Sequence, residues 1–324
     1  MQKKIRIALI DSGIDSEFKC QNLCGAAFFY STESKILRRE ENYSDSNGHG
    51  TYCAQIIASY CKHVEFVVVK ILDEDNRGSS IALVEALKYI MQFSIDLVNL
   101  SISVFDIGNR AEIKKLCLEL QKRGVIINVS VTNRCLSSFP ASLESTTGVR
   151  GALNIVSNEI WYNSKKEIQC VANMMPVLVG VGNQKKTFFG GNSKATAVLT
   201  GLLASELYEK QIDKTEVFYG LSVKAEWCEE DIQMNFDREL PCEPKEGVEA
   251  FAYTVCELLE VNKEQRKDVL TRLIYLPFME MEKGKYINLI EQLADIYKKK
   301  LVMGKLELSE SFSISALYSF FCGD

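Results

Sequence analysis

The chain has 324 residues, of which 47% are hydrophobic and 25% charged, with a formal net charge of −5. That length allows one large or two modest domains, and the composition excludes a wholly disordered chain. The acidic balance argues against a nucleic-acid or anionic-membrane partner, and no apolar run reaches the roughly 18–20 residues that span a bilayer.

In chain order, Ile5–Ile10 is a compact apolar run that reads as a buried strand. It stops at Asp11-Ser12-Gly13, which puts a carboxylate at the carboxyl end of the strand, the edge where active sites of open α/β sheets collect. An ordinary strand-ending turn accounts for the same residues. Asp45-Ser46-Asn47-Gly48-His49-Gly50-Thr51 then heads a helical segment over Tyr52–Ser59, with one of only two histidines set between glycines. Such glycines let backbone or ligand approach the imidazole closely. The other histidine, His63, reads as a solvated loop residue.

Phe66–Ile71, Leu97–Ile102 and Val125–Val129 read as further buried strands, separated by helical patterns over Ile81–Ile90 and Ala111–Lys122. This alternation predicts an α/β fold built on a doubly wound parallel sheet. The fourth strand leads to Asn133, a turn residue or, if it faces a nucleophile, an oxyanion donor. Gly190-Gly191-Asn192-Ser193 opens a helix of small apolar residues. A serine there is an N-cap or a nucleophile with the helix dipole behind it.

The pattern changes after residue 227. Residues 228–247 are acidic, contain Pro241 and Pro244, and read as a linker or excursion. Residues 248–324 show helical periodicity only. Val248, Phe251, Ala252, Val255, Leu258 and Leu259 form one stripe, and Tyr286, Leu289, Ile290, Leu293, Ile296 and Tyr297 another. A small, mostly helical C-terminal domain is expected. Eleven cysteines without a CxxC pair give no disulfide framework, so a reducing, cytoplasmic setting is expected.

The order Asp11, His49, Ser193, in "LIDSGID", "DSNGHGT" and "GGNSKATAVLTG", resembles that of the subtilisin-like serine peptidases, the subtilase family. The resemblance covers roughly residues 1–227. It implies a subtilisin-like fold, a triad of Asp11, His49 and Ser193, and Asn133 as oxyanion donor. It further implies substrate binding by Ser101, Ile102 and Ser103 in "NLSIS" and by Ser130, Val131 and Thr132. Glu216–Ala225 resembles the helix that closes such domains. The implied substrate is a peptide or protein, with no cofactor and no metal.

Several positions depart from the family. Asn192 and Lys194 stand where it usually has Thr and Met around the serine, and Tyr52 stands where its second histidine would be. Side chains at Ser103 and Ser130-Val131-Thr132 replace small residues, which predicts a narrowed S1 pocket. The segment 59–65 is too short for the loop that helps to hold calcium in secreted relatives, and Asp73, Glu74 and Asp75 read as a solvated turn. With the first strand so near Met1, no inhibitory prodomain is expected. Residues 248–321 are faintly similar to acyl carrier proteins, but Glu282-Lys283 replaces the Asp-Ser that carries phosphopantetheine, and an unrelated helical appendage fits equally.

The reading is a serine endopeptidase of restricted specificity. A cytoplasmic processing enzyme is expected, for example one removing the leader from a modified peptide precursor. The precursor or a modifying enzyme would dock on the C-terminal domain. The alternatives are a general intracellular subtilase for protein turnover and a non-catalytic peptide-binding homologue.

Overall fold

The computed structural model describes residues 3–19, 24–104, 108–132, 138–180, 186–210, 216–234, 247–261, 283–311 and 313–323. The chain divides into two compact units. The first comprises 1–174, 181–184 and 190–235, and the second 175–180, 185–189 and 236–324.

The first unit opens with β1 (Ile5–Asp11), β2 (Cys24–Ser31), β3 (Ile36–Glu40), α1 (His49–Tyr60) and β4 (Val64–Lys70). It continues through α2 (Ser80–Ile90), β5 (Leu97–Leu100), α3 (Arg110–Lys122), β6 (Ile126–Ser130), β7 (Thr147–Ala152), β8 (Ile160–Tyr162) and β9 (Cys170–Asn173). After β10 (Val177–Val179) and β11 (Thr187–Phe189), which belong to the second unit, come α4 (Asn192–Lys210), α5 (Val217–Leu221) and β12 (Ser222–Lys224). The large sheet has the order β12-β8-β9-β7-β6-β5-β1-β4-β2-β3, and every pairing from β9 across to β2 is parallel. Antiparallel pairs occur only toward its edges, β8 with β9 and β2 with β3. The fold is a largely parallel, doubly wound α/β sheet with a helical C-terminal region.

Strands β1, β4, β5 and β6 carry apolar residues on both faces because both faces are covered. Ala8, Ile10, Val67, Val69, Val98, Leu100, Ile127 and Val129 share one core with α2 and α3. On the other face, the hydroxyl of Thr200 in α4 donates to Asn99 Oδ1 (3.0 Å) and accepts from Asn128 Nδ2 (3.0 Å). This pairs Asn99 Oδ1 and Asn128 Nδ2 inside otherwise apolar strands, while Asn128 Oδ1 stays buried without a partner. α4 packs along α1, and Gly201 permits the approach: a Cβ there would lie 2.9 Å from Tyr60 Cβ.

Leu97–Ile102 forms a strand only to Leu100, and Ser101 and Ile102 leave the sheet. Glu216–Ala225 is not one helix: α5 spans five residues and is followed by β12, which pairs with β8. His63 is exposed as expected but stacks on Tyr208, with ring centroids 4.1 Å apart.

The second unit adds α6 (Val248–Leu258), α7 (Lys283–Ile296) and α8 (Ile314–Cys322) to the β10–β11 hairpin. Phe251 gathers Tyr297, Tyr318 and Phe321 around it, and Tyr286 Oη donates to Ser311 O at 2.7 Å. Ile296, placed in the apolar stripe by its spacing, is 50% exposed. The hairpin had no counterpart in the sequence reading. Leu178 N donates to Leu306 O (2.8 Å) and Leu308 N to Pro176 O (2.7 Å), so β10 pairs with chain from the C-terminal region. Glu282, one of the pair compared with the carrier-protein serine, lies outside the described residues.

Candidate active site

β1 ends at Asp11, which is fully buried. Its Oδ1 accepts from Ser12 N at 2.7 Å and lies 2.7 Å from Nδ1 of His49, the first residue of α1. A carboxylate is acceptor-only, so this contact fixes the Nδ1–H tautomer. Burial pushes the His49 imidazole down, but the charge and hydrogen bond of Asp11, with Asp45 behind them, outweigh it and hold its pKa above the ordinary value. The ring keeps 18% of its surface exposed.

Asp45 ties the turn that leads into α1 to the turn that follows β1. Its Oδ1 accepts from Ser12 Oγ (2.9 Å), Asn47 N (3.1 Å) and Gly48 N (2.9 Å), and its Oδ2 from Thr51 N (2.9 Å) and Thr51 Oγ1. Burial raises the Asp45 carboxyl, and this set of donors more than reverses that, so its pKa lies below the usual range. Gly50 N in turn donates to Ser12 Oγ at 2.9 Å. The glycines are sterically required here. Gly13 has φ +109°, and a Cβ on Gly50 would lie 2.3 Å from Gly13 O.

Ser193 is the second residue of α4 and half-buried. Both its neighbours are buried and fastened. Asn192 Nδ2 donates to Val131 O (2.9 Å) while its Oδ1 accepts from Gly151 N (2.8 Å). Lys194 Nζ donates to Asn173 Oδ1, and Asn173 Nδ2 donates to Ile155 O at 2.6 Å.

The starts of α1 and α4 stand at the same edge of the sheet. α1 begins beside the end of β1, and the loop after it returns to the start of β1, where Ile5 N donates to His63 O at 3.0 Å. α4 begins beside Val131, just past β6, and by Thr200 has reached Asn99 and Asn128 within β5 and β6. Both helices run against the strands, so His49 and Ser193 share the carboxyl edge with Asp11.

Of the residues expected to bind substrate, Ser101, Ser130 and Val131 are buried, whereas Ile102, Ser103 and Thr132 are half-buried. Ser138, assigned no role from the sequence, joins two of these: Ser103 Oγ donates to Ser138 Oγ (3.3 Å), which also accepts from Thr132 N (3.1 Å). Val104 N donates to Phe139 O at 2.8 Å beside it. Asn133 lies outside the described residues. Asp45 was legible as part of a motif but not as an anchor, because only the fold brings five donors onto one carboxylate.

Comparison with known proteins bears on the family and the fold. Residues 2–218 match the model of the family described as the subtilase family, Peptidase_S8. The major intracellular serine protease of Bacillus subtilis (strain 168) is 25% identical over 244 residues, covering 67% of this chain and 74% of that protein. Among solved structures, sphericase aligns with a TM-score of 0.54 at 19% identity, over 68% of this chain and 83% of that one. A lanthipeptide protease aligns with a TM-score of 0.52 at 19% identity, over 66% and 78%.

Proposed function

The chain belongs to the subtilase family and is a subtilisin-like serine peptidase, and from that premise we propose that Asp11, His49 and Ser193 form its catalytic triad. Ser193 Oγ attacks the peptide carbonyl, while His49 Nε2 takes the serine proton and returns it to the leaving amine. Asp11 holds the tautomer and stabilises the imidazolium. Asn133 and the Ser193 backbone N–H bind the tetrahedral oxyanion. The observation that carries this reading is the 2.7 Å Asp11–His49 contact at the sheet edge where α4 presents Ser193.

The substrate is a peptide or protein, and we place the processing of defined peptides ahead of general turnover. A clasp at Ser138 Oγ, which accepts from Ser103 Oγ and from the Thr132 backbone N–H, supports this, because it ties together the segments after β5 and β6 that the family resemblance gives to the P1 side chain. A wall clasped in this way suits a short P1 residue. The lanthipeptide protease among the structural neighbours fits removal of a leader from a modified peptide precursor, with that precursor or its modifying enzyme docking on the C-terminal unit. Cytoplasmic action fits the intracellular protease of Bacillus subtilis.

That relative also favours a second reading, protein turnover inside the cell. Rates on unfolded casein and on a peptide panel varied at P1 decide between them. Processing requires a sharp preference for short P1 residues and slow casein cleavage, whereas broad P1 acceptance with fast casein cleavage supports turnover.

A further inference from the structure

The hairpin β10–β11 lies in the chain between β9 and α4, yet it belongs to the second unit while both neighbours belong to the first. Its last strand ends at Phe189, four residues before Ser193. Both strands are gripped by the C-terminal chain. Around β10, Leu178 N donates to Leu306 O (2.8 Å), Gly304 N to Leu178 O (2.8 Å) and Leu308 N to Pro176 O (2.7 Å). Val177, Leu178, Val179, Leu306 and Leu308 are all buried there. Beside β11, Lys186 Nζ donates to Glu291 Oε1 of α7, and the Phe188 and Tyr286 ring centroids are 5.8 Å apart. At the foot of the hairpin, Gly191 N donates to Met174 O (3.2 Å) and Lys194 Nζ to Asn173 Oδ1. The two residues that leave β9 are thus tied to residues on either side of Ser193. A methionine at 194, usual in the family, has no donor for the second tie.

We propose that the C-terminal chain, through this hairpin, positions the nucleophile, with Leu308 and Glu291 as positioning residues for Ser193. Only Gly190, Gly191 and Asn192 separate β11 from Ser193, and Gly191 is already fixed to Met174 O. A loosened hairpin therefore shifts Met174 at one end and Gly191 at the other, and both bear on the turn that carries the serine. A misplacement of ~1 Å at a reacting group can cost ~10²-fold in rate. The proposal rests on the triad reading above, so its test carries a readout independent of turnover.

Two kinds of variant loosen the hairpin without touching the triad. Leu308→Pro removes the donor to Pro176 O and keeps the local backbone. Leu308 opens a 3₁₀ turn, where proline is tolerated, and Glu307 before it is extended (φ −80°, ψ 151°), as a residue before proline must be. Its reference is Leu308→Ala, which shortens the same side chain but keeps the N–H. Lys186→Glu and Glu291→Lys each set like charges side by side, and the double exchange restores an opposite pair.

Each full-length variant is labelled with a fluorophosphonate, and kcat and KM are measured on the best peptide of the P1 panel. From the cost of misplacement above, Leu308→Pro should label Ser193 at least ~10-fold more slowly than Leu308→Ala, with kcat lowered in step and KM within about twofold. Each single charge reversal should slow labelling measurably, by roughly threefold, and the double exchange should return it close to the parent rate. A merely structural role lowers the melting temperature and the final labelled fraction, leaves the rate of the folded molecules unchanged, and overturns the proposal. Hydrogen exchange supplies the readout that needs no activity. The Gly191 and Ala195 amides, protected by Met174 O and Gly191 O, should exchange faster in Leu308→Pro and in Glu291→Lys than in the parent chain. Labelling at the parent rate in both single reversals, an effect confined to KM, or unchanged exchange at Gly191 and Ala195 overturns the positioning role. A parent chain that never labels at Ser193 overturns the triad reading instead, and exchange at those two amides still decides whether the hairpin holds the start of α4.

Discussion

Replacing Asp45 by alanine removes the anchor of the turn that carries His49, and the structure sets the size of the effect. Gly48 N and Thr51 N lose an ionised acceptor, and both residues are buried. A hydrogen bond to a charged group contributes ~1.5–3 kcal/mol, and the half-exposure of Asp45 discounts that, so a loss of about 2–4 kcal/mol is expected. The assay is urea unfolding followed by tryptophan fluorescence. The chain has two tryptophans, Trp161 and Trp227, and both lie in the first unit, so the signal reports on the unit that contains Asp45. The pH dependence has a definite sign. Because the native Asp45 pKa is depressed, its contribution is complete above the unfolded value near 3.9 and is lost as pH falls through the native value. The gap between the parent chain and Asp45→Asn should therefore close in acid. A loss below about 0.5 kcal/mol at pH 7, the size of an ordinary surface substitution, would refute the reasoning.

Other outcomes follow from the same geometry. His49 must be neutral to act as base, so kcat/KM should fall with decreasing pH through a value above the ~6.5 of a free histidine, and Asp45→Asn should move that limb downward. The stability that His49 gains from Asp11 is present below ~6.5 and lost as pH rises through its native value, which thermal melts across that window will read. Ser138→Gly should relax the P1 preference toward longer side chains in the peptide panel, and an unchanged profile would remove the clasp from the specificity argument. Asn133→Ala should lower kcat by ~10²–10³, the size known for a subtilisin oxyanion asparagine, with little change in KM. An effect confined to KM would assign Asn133 to substrate positioning.

The parts legible in the sequence were those whose signal is local. β1, β4 and β6 are near-continuous apolar runs, and a strand buried on both faces leaves no other pattern. Asp11, His49 and Ser193 each sit at a strand end or helix start within two residues of a glycine, so their chain order was readable before any contact was known. The hairpin β10–β11 was not readable. Its strands are three residues long, and its partner segment around Leu306 lies more than a hundred residues away. Ser138 and Asp45 share that limitation. A lone serine or aspartate carries no periodicity, and each gains its meaning from donors that only the folded chain brings within reach.

The central claim is that Ser193, activated by His49, is the nucleophile. Its most direct test is fluorophosphonate labelling followed by peptide mapping of the adduct, in the parent chain and in His49→Ala. The account expects a single adduct on the peptide containing Ser193, formed at a rate that collapses in His49→Ala while the protein stays folded. An adduct on another residue, or labelling of Ser193 at the parent rate without His49, would contradict it.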